Sequence, residues 1–256
     1  MSQPVLEARN LARVFGEFKA VDDVGFTLNP GEIVGFLGPN GAGKTTTIKM
    51  LTGLLGPSSG SASIAGYDIA TSPIEAKSRI GYVPDTPNLY GKLKAQEYLR
   101  FVGQLYKVPA ADVEERMRPL LDLFELTDVA GNYLDTFSHG MQQKVAIIGA
   151  FLHDPLLVFM DEPTVGLDPR SARLIKDLMI GYRDRGKTIF FSTHILEIAQ
   201  TMCDRVIIIN KGRIVADARV NELRRMRGDQ SLEDIFLELT GGQDVDEMVK
   251  ELADGG

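Results

Sequence analysis

"GPNGAGKTT", Gly38 to Thr46, lies between an apolar run, Ile33 to Leu37, and a stretch in which Ile48, Leu51 and Leu55 recur at i, i+3 and i+7. A G-x-x-x-x-G-K-[ST] pattern set between a strand and a helix is the context of a phosphate-binding loop. Its glycines let backbone N–H groups close around a β-phosphate, and the helix N-terminus adds positive potential. Lys44 can then reach the β and γ oxygens, and Thr45 offers a hydroxyl to Mg²⁺. Pro39, Asn40, Gly41, Ala42, Gly43 and Thr46 complete the cradle, and Gly56-Pro57 is the expected helix stop.

Working outward, "ARNLARVF" and "AVDDVGFTL" before the loop and "SASIAG" after it alternate as antiparallel strands do. The short apolar segment "RIGYV" reads as a further strand. From about Leu93 to Leu152 the periodicity turns helical, with "AQEYLRFVGQLY" and "DVEERMRPLLDLFEL" as helices, before strands return at "LLVFMDEP", "TIFFSTH" and "RVIIINKGRIV". Apolar runs separated by helical stretches are the mark of a parallel sheet buried on both faces. "INKGR" reads as a hairpin turn, and in "SLEDIFLEL" Ser231 and Asp234 fit a capping pair ahead of an apolar face of Leu232, Ile235, Phe236 and Leu239. The fold class expected is α/β: a P-loop NTPase core with a mostly parallel sheet, an antiparallel β subdomain and an inserted helical subdomain at roughly residues 86–152. Residues 1–240 form this domain and 241–256 an acidic tail, where Val245, Met248, Val249 and Leu252 stand at helical spacing.

Hydrophobic residues make up 44% and charged residues 25% of the 256, the composition of an ordinary globular chain. The net charge of -7 offers no basic footprint for nucleic acid. The single cysteine, Cys203, can make no internal disulfide, which fits the cytoplasm. The longest apolar runs are strand-sized and "MSQPVLEARN" is unlike a signal segment, so any membrane span is expected from another polypeptide.

"LLVFMDEP" ends an apolar strand in two acids, at the strand end where open α/β sheets bind ligands. Asp161 suits Mg²⁺, and Glu162 can orient or deprotonate a water attacking a γ-phosphate. His194 closes "TIFFSTH" and can fall beside the same phosphate. In "FSHGMQQK", Ser138 and Gly140 sit at a helix start, which taken alone is a cap; Val145, Ile148 and Leu152 would bury that helix.

Together these segments, from about Val5 to Leu239, resemble the nucleotide-binding subunits of ATP-binding cassette (ABC) transporters. "GPNGAGKTT" looks like Walker A, "LLVFMDEP" like Walker B with its catalytic Glu162, "VGLDP" with Asp168 like the D-loop, "STH" with His194 like the switch, and "FSHGMQQK" like the family signature. The resemblance implies ATP and Mg²⁺ as ligands, and a second cassette, as a homodimer, whose Ser138, His139 and Gly140 meet the γ-phosphate held by the opposite loop. It also implies permease subunits in the membrane, a peripheral cytoplasmic location and transport, with "FSxGM" resembling the exporter branch. Phe15 aligns with the aromatic that stacks on adenine. Asp85 stands where the family has Gln or Glu that senses the metal, and the surface from Asp85 to Tyr90 with the helical insert is the expected permease contact. His139 and Met141 depart from the common Gly and Gln. Two alternatives stay open on sequence: a non-transport cassette ATPase, such as an iron–sulfur assembly type, and a nucleotide-gated binding module with little hydrolysis.

Overall fold

The structure, a computed structural model, describes residues 3–226 and 231–241. In chain order it forms β1 (Leu6–Phe15), β2 (Phe18–Leu28), β3 (Ile33–Leu37), α1 (Lys44–Leu51), β4 (Ser59–Ile64), β5 (Tyr67–Asp68), α2 (Pro73–Lys77) and β6 (Ile80–Val83). A helical stretch follows, α3 (Ala95–Leu105), α4 (Ala110–Leu123) and α5 (His139–Phe151), with two single 3₁₀ turns between α4 and α5. The chain then alternates through β7 (Leu157–Asp161), α6 (Pro169–Asp184), β8 (Thr188–Thr193) and α7 (Leu196–Met202). It closes with β9 (Arg205–Asn210), β10 (Arg213–Arg219), α8 (Val220–Met226) and α9 (Leu232–Thr240).

Two sheets result, one antiparallel in the order β2-β1-β4-β5, the other in the order β10-β9-β3-β8-β7-β6. The second is parallel except for the β9–β10 hairpin, whose Lys211 (φ 47°) and Gly212 (φ 79°) take the left-handed pair a tight two-residue turn requires. Because strand side chains alternate, each central strand feeds two cores. Val34, Phe36, Phe159, Phe190 and Ile207 point toward α1 and the antiparallel sheet, where the Phe26 and Phe190 rings stack at 5.4 Å. Ile33, Val158, Met160, Ile189 and Phe191 face the other way, against α3 to α6. This two-sided burial accounts for strands that read as unbroken apolar runs.

Two sequence expectations meet the structure differently. The helix after the phosphate loop ends at Leu51, not at Gly56-Pro57. Gly53 takes φ +67° there, and the N–H groups of Leu54 and Leu55 turn back to the Lys49 carbonyl at 2.9 and 3.0 Å, so Leu55 packs on the core from a turn. At α9 the expected capping pair forms: Asp234 N–H donates to Ser231 Oγ at 3.1 Å, with Leu232 and Ile235 fully buried behind it. The apolar spacing over 245–252 lies outside the described residues. Among the described residues no helix is long and apolar enough to cross a membrane.

Candidate functional site

Parallel pairing sets the strand ends level. Leu37 lies beside Thr193 and Asp161 beside Ser192, so the chain leaves β3, β8 and β7 at one edge as Gly38, His194 and Glu162. The segment after β3 turns sharply because it lacks side chains at two close approaches. A Cβ on Gly38 would sit 2.4 Å from the Ile209 carbonyl oxygen, and Gly43, at φ +107°, lies against the Ala20 carbonyl, 2.6 Å from where its Cβ would be. No other residue fits either place without moving backbone. Thr47 Oγ1 back-bonds to the Gly43 carbonyl at 2.8 Å and locks the loop onto α1.

Lys44, 7% exposed, folds its Nζ back to donate to the Gly38 carbonyl at 2.6 Å and the Pro39 carbonyl at 3.2 Å. Burial lowers its pKa, while Glu162, whose Oε1 is 3.9 Å away, and Asp161 favour its charge. The result is a cation held under the loop's rim with two neutral carbonyls as its close partners, an arrangement suited to receiving a polyanion.

Asp161 is fully buried. Ser192 Oγ donates to its Oδ1 and the nearby Thr45 side chain favours its charged form, yet Oδ2 has no hydrogen-bond partner among the described residues. Burial pushes this carboxyl above the usual range, and the charges of Asp85 and Glu162 add to the effect. Among the described residues no three acidic, histidine or cysteine side chains converge on one point; an unpartnered buried carboxylate oxygen with Thr45 lining the same cavity offers one or two hard oxygen donors, which fits Mg²⁺, an ion that keeps most of its waters. Glu162 stands at φ +49°, a region costly for a residue with a Cβ, and is held there by its N–H to Ser192 Oγ at 3.0 Å. Its Oε2 lies 3.0 Å from Nδ1 of His194, whose ring is half exposed.

The cavity in front of these groups, about 380 Å³, is lined by Pro39 to Gly41 and Gly43 to Thr46, by Asp85, Asp161 and Glu162, and by Phe18 and Ala20; Gly38, Ala42 and His194 are not among its lining residues. Asp85 reaches it with Oδ1 accepting from Thr86 N–H at 2.9 Å. Phe15 is not among the lining residues. It pairs across the β1–β2 turn with Phe18, and the Arg13 guanidinium covers one of its faces at 4.7 Å. Phe18, 64% exposed, was missed on sequence, although a second aromatic three residues after the first was its signal. Ser192 was missed too; its signal is a polar residue in the buried run "TIFFST".

Ser138, His139 and Gly140 lie outside this cavity. Ser138 caps α5, its Oγ accepting from Met141 N–H at 3.3 Å, and Val145, Ile148 and Leu152 are fully buried behind it. The "VGLDP" turn packs on this helix start in the same chain: a Cβ on Gly166 would lie 3.3 Å from the His139 ring, and one on Gly140 would lie 3.5 Å from Leu167. Asp168 caps α6, accepting from Ser171 N–H at 2.9 Å, and its hydrogen bonds to Ser171 hold its pKa low.

A phosphate loop, an acid pair and a buried lysine at the carboxyl edge of a parallel sheet define a P-loop nucleotide-binding ATPase domain. A family model described as "ABC transporter" matches residues 21–165. The chain is 38% identical over 226 residues to the linearmycin resistance ATP-binding protein LnrL of Bacillus subtilis, covering 88% of this chain and 73% of the relative. It is 36% identical to a Nod factor export ATP-binding protein of Cupriavidus metallidurans, covering 86% of this chain and 72% of the relative. A solved structure of an ATP-binding subunit of an ABC transporter superposes with a TM-score of 0.88 at 38% identity, covering 92% of this chain and 99% of that one. The chain belongs to the ABC transporter family, as an ATP-binding subunit: a nucleotide-binding ATPase that powers transport with membrane permease components.

Proposed function

We propose that the cavity binds ATP with Mg²⁺ and that two copies of the chain close head to tail over two nucleotides. The observation carrying this reading is the separation of the phosphate loop from a second helix start, at Ser138 to Gly140, that lies outside the cavity and is free to serve another copy's phosphate. Lys44 meets the β and γ oxygens, and the backbone N–H groups of the loop and α1 surround them. Thr45 and Asp161, with Asp85 acting through water, hold Mg²⁺, which when bound neutralises phosphate charge. Glu162 orients and deprotonates the attacking water, and His194, bonded to Glu162, places it and the γ-phosphate. Phe15 and Phe18 supply the aromatic surface for the base, and Asp168 sits at the facing edge between copies.

Transport is proposed to run outward, since the relatives are a resistance protein and an export protein by name. The permease contact is an apolar groove of about 320 Å³ between β6 and α3, lined by Pro84, Leu89, Tyr98 and Tyr106 and beginning one residue before Asp85. Leu54, Tyr90 and Leu105, each at least 60% exposed, stand around it as an apolar rim. Location at the cytoplasmic face of the membrane follows from that contact.

The test is Glu162→Gln. Turnover should fall by a factor of about 10² to 10⁴, the range for loss of a general base, while ATP binding persists and an ATP-dependent dimer accumulates on gel filtration. Near-normal turnover would remove Glu162 from the chemistry, and a protein that stays monomeric at saturating ATP would remove the second copy.

A further inference from the structure

Helix α5 joins two regions of the molecule. Its first turn carries Ser138 to Gly140, and its last turns, through Ala146, Gly149 and Ala150, floor the apolar groove. Between them, within "FSHGMQQK" but outside the lining of the phosphate cavity, lies Gln143. Gln143 is 1% exposed, a buried amide on a helix whose Val145, Ile147 and Ile148 belong to the apolar core. Its Nε2 donates to the Pro84 carbonyl at 3.5 Å, and its Oε1 has no partner among the described residues. The preceding Gln142 is used differently: its amide donates to the Leu134 and Phe137 carbonyls at 3.0 and 3.3 Å, fixing the chain that enters the helix.

A buried amide is costly unless its bonds are made, and a methionine or leucine would fill the same space without that cost. What the amide adds is reach to Pro84, the residue immediately before Asp85, which lines the phosphate cavity and whose neighbour Pro84 lines the groove. At 3.5 Å the bond is at the end of the useful range, so a shift of well under an ångström in the Asp85 loop makes or breaks it. We propose that Gln143 is a positioning residue that couples the Asp85 loop to the Ser138 end of α5, so that occupancy of a copy's own nucleotide cavity sets the placement of the helix start it offers to the other copy. This rests on the two-copy reading above and gives it a route: the loop that senses the nucleotide and the helix that serves the partner share one buried side chain.

The experiment compares Gln143→Met, and Gln143→Leu as a second apolar variant, each in the Glu162→Gln background. Thermal midpoint, ATP affinity of the dilute single copy and ATP-driven dimerisation by sedimentation are measured. A coupling role predicts a midpoint equal to or above the parent's, since an unpartnered amide oxygen has gone, ATP affinity within about twofold, and dimerisation weakened about tenfold by losing one bond in each copy. Dimerisation at the parent's level overturns the proposal. So does weakened dimerisation accompanied by a lowered midpoint in both variants, which marks Gln143 as packing alone. If the Glu162→Gln parent forms no ATP dimer, the two-copy reading fails first and takes this inference with it.

Discussion

His153 links the helical segment to the edge of the parallel sheet, and its titration can be worked out from its surroundings. Its Nε2 lies 2.9 Å from the Ile80 carbonyl, so that nitrogen carries the proton of the neutral ring. The ring stacks on Tyr106, centroids 3.6 Å apart and planes 12° from parallel, while Nδ1 is buried with no hydrogen-bond partner among the described residues. Burial lowers the pKa from 6.5 to about 4; Arg116 and Lys187 push the same way, and the Ile80 carbonyl and Asp154 oppose them. The folded pKa is therefore below the unfolded one. As pH falls through 6.5 the unfolded chain takes up a proton that the folded chain refuses until about 4, so over that window stability falls with falling pH. At about 1.4 kcal/mol per pH unit the full gap is worth about 3 kcal/mol, a large part of the ~5–15 kcal/mol that holds a domain folded. His153→Gln keeps a donor for Ile80 and cannot titrate. Urea unfolding of both proteins from pH 7.5 to 4.5 should show wild type losing about 2.5 kcal/mol more than the variant, the rest of the gap lying below pH 4.5, with the difference opening below about pH 6.5. Parallel curves, or an imidazole titrating near 6.5 in the folded protein, would refute the reasoning. Tyr106 also lines the groove proposed for the permease, so a charged ring beneath it would loosen that wall.

Two further predictions concern the site itself. Ser138→Arg should abolish ATP-driven dimerisation while the single copy still binds nucleotide by titration calorimetry; Ser138→Asn, which keeps a capping oxygen, separates this from the ~1 kcal/mol a lost cap costs α5, and loss of nucleotide binding together with dimerisation would place the signature in its own chain's pocket. Asp161→Asn retains an acceptor for Ser192 and removes a carboxylate whose burial disfavours its charge, so the thermal midpoint should hold or rise. In the same variant the Mg²⁺ concentration for half-maximal ATPase should increase about 10- to 100-fold; an unchanged Mg²⁺ requirement would remove Asp161 from the metal site.

Local signals carried much of the architecture. The run Ile33 to Leu37, the loop after it and the start of α1 could be read because strand, turn and helix chemistry all fall within a dozen residues, and the Ser231–Asp234 cap is likewise a spacing of three. What escaped is set by contacts between distant parts of the chain or by a single backbone angle. Leu55 kept the helical stripe in register, but one glycine at φ +67° had already ended the helix. Phe18 gains its place beside the phosphate loop only once the β1–β2 hairpin is packed, and the Gln143–Pro84 bond spans 59 positions. The division of each strand between two cores is invisible to periodicity, since both faces are apolar.

The departures from good local chemistry are not scattered. Glu162 holds a left-handed backbone, Asp161 leaves an interior oxygen with no hydrogen-bond partner among the described residues, and Lys44 is buried against carbonyls with its nearest carboxylate oxygen 3.9 Å away. Each is a cost to the folded chain alone, of order 1–3 kcal/mol for a strained residue or an unmade buried bond. All three face one cavity, and a phosphate chain carrying a divalent cation would answer the demands of Lys44 and Asp161 together. The strain at Glu162 has a different use. Its backbone turn brings the carboxylate to within 3.0 Å of the half-exposed His194 ring. A residue that followed β7 in relaxed extended backbone would direct its side chain elsewhere, so the angle that costs stability is also the one that aims the proposed base.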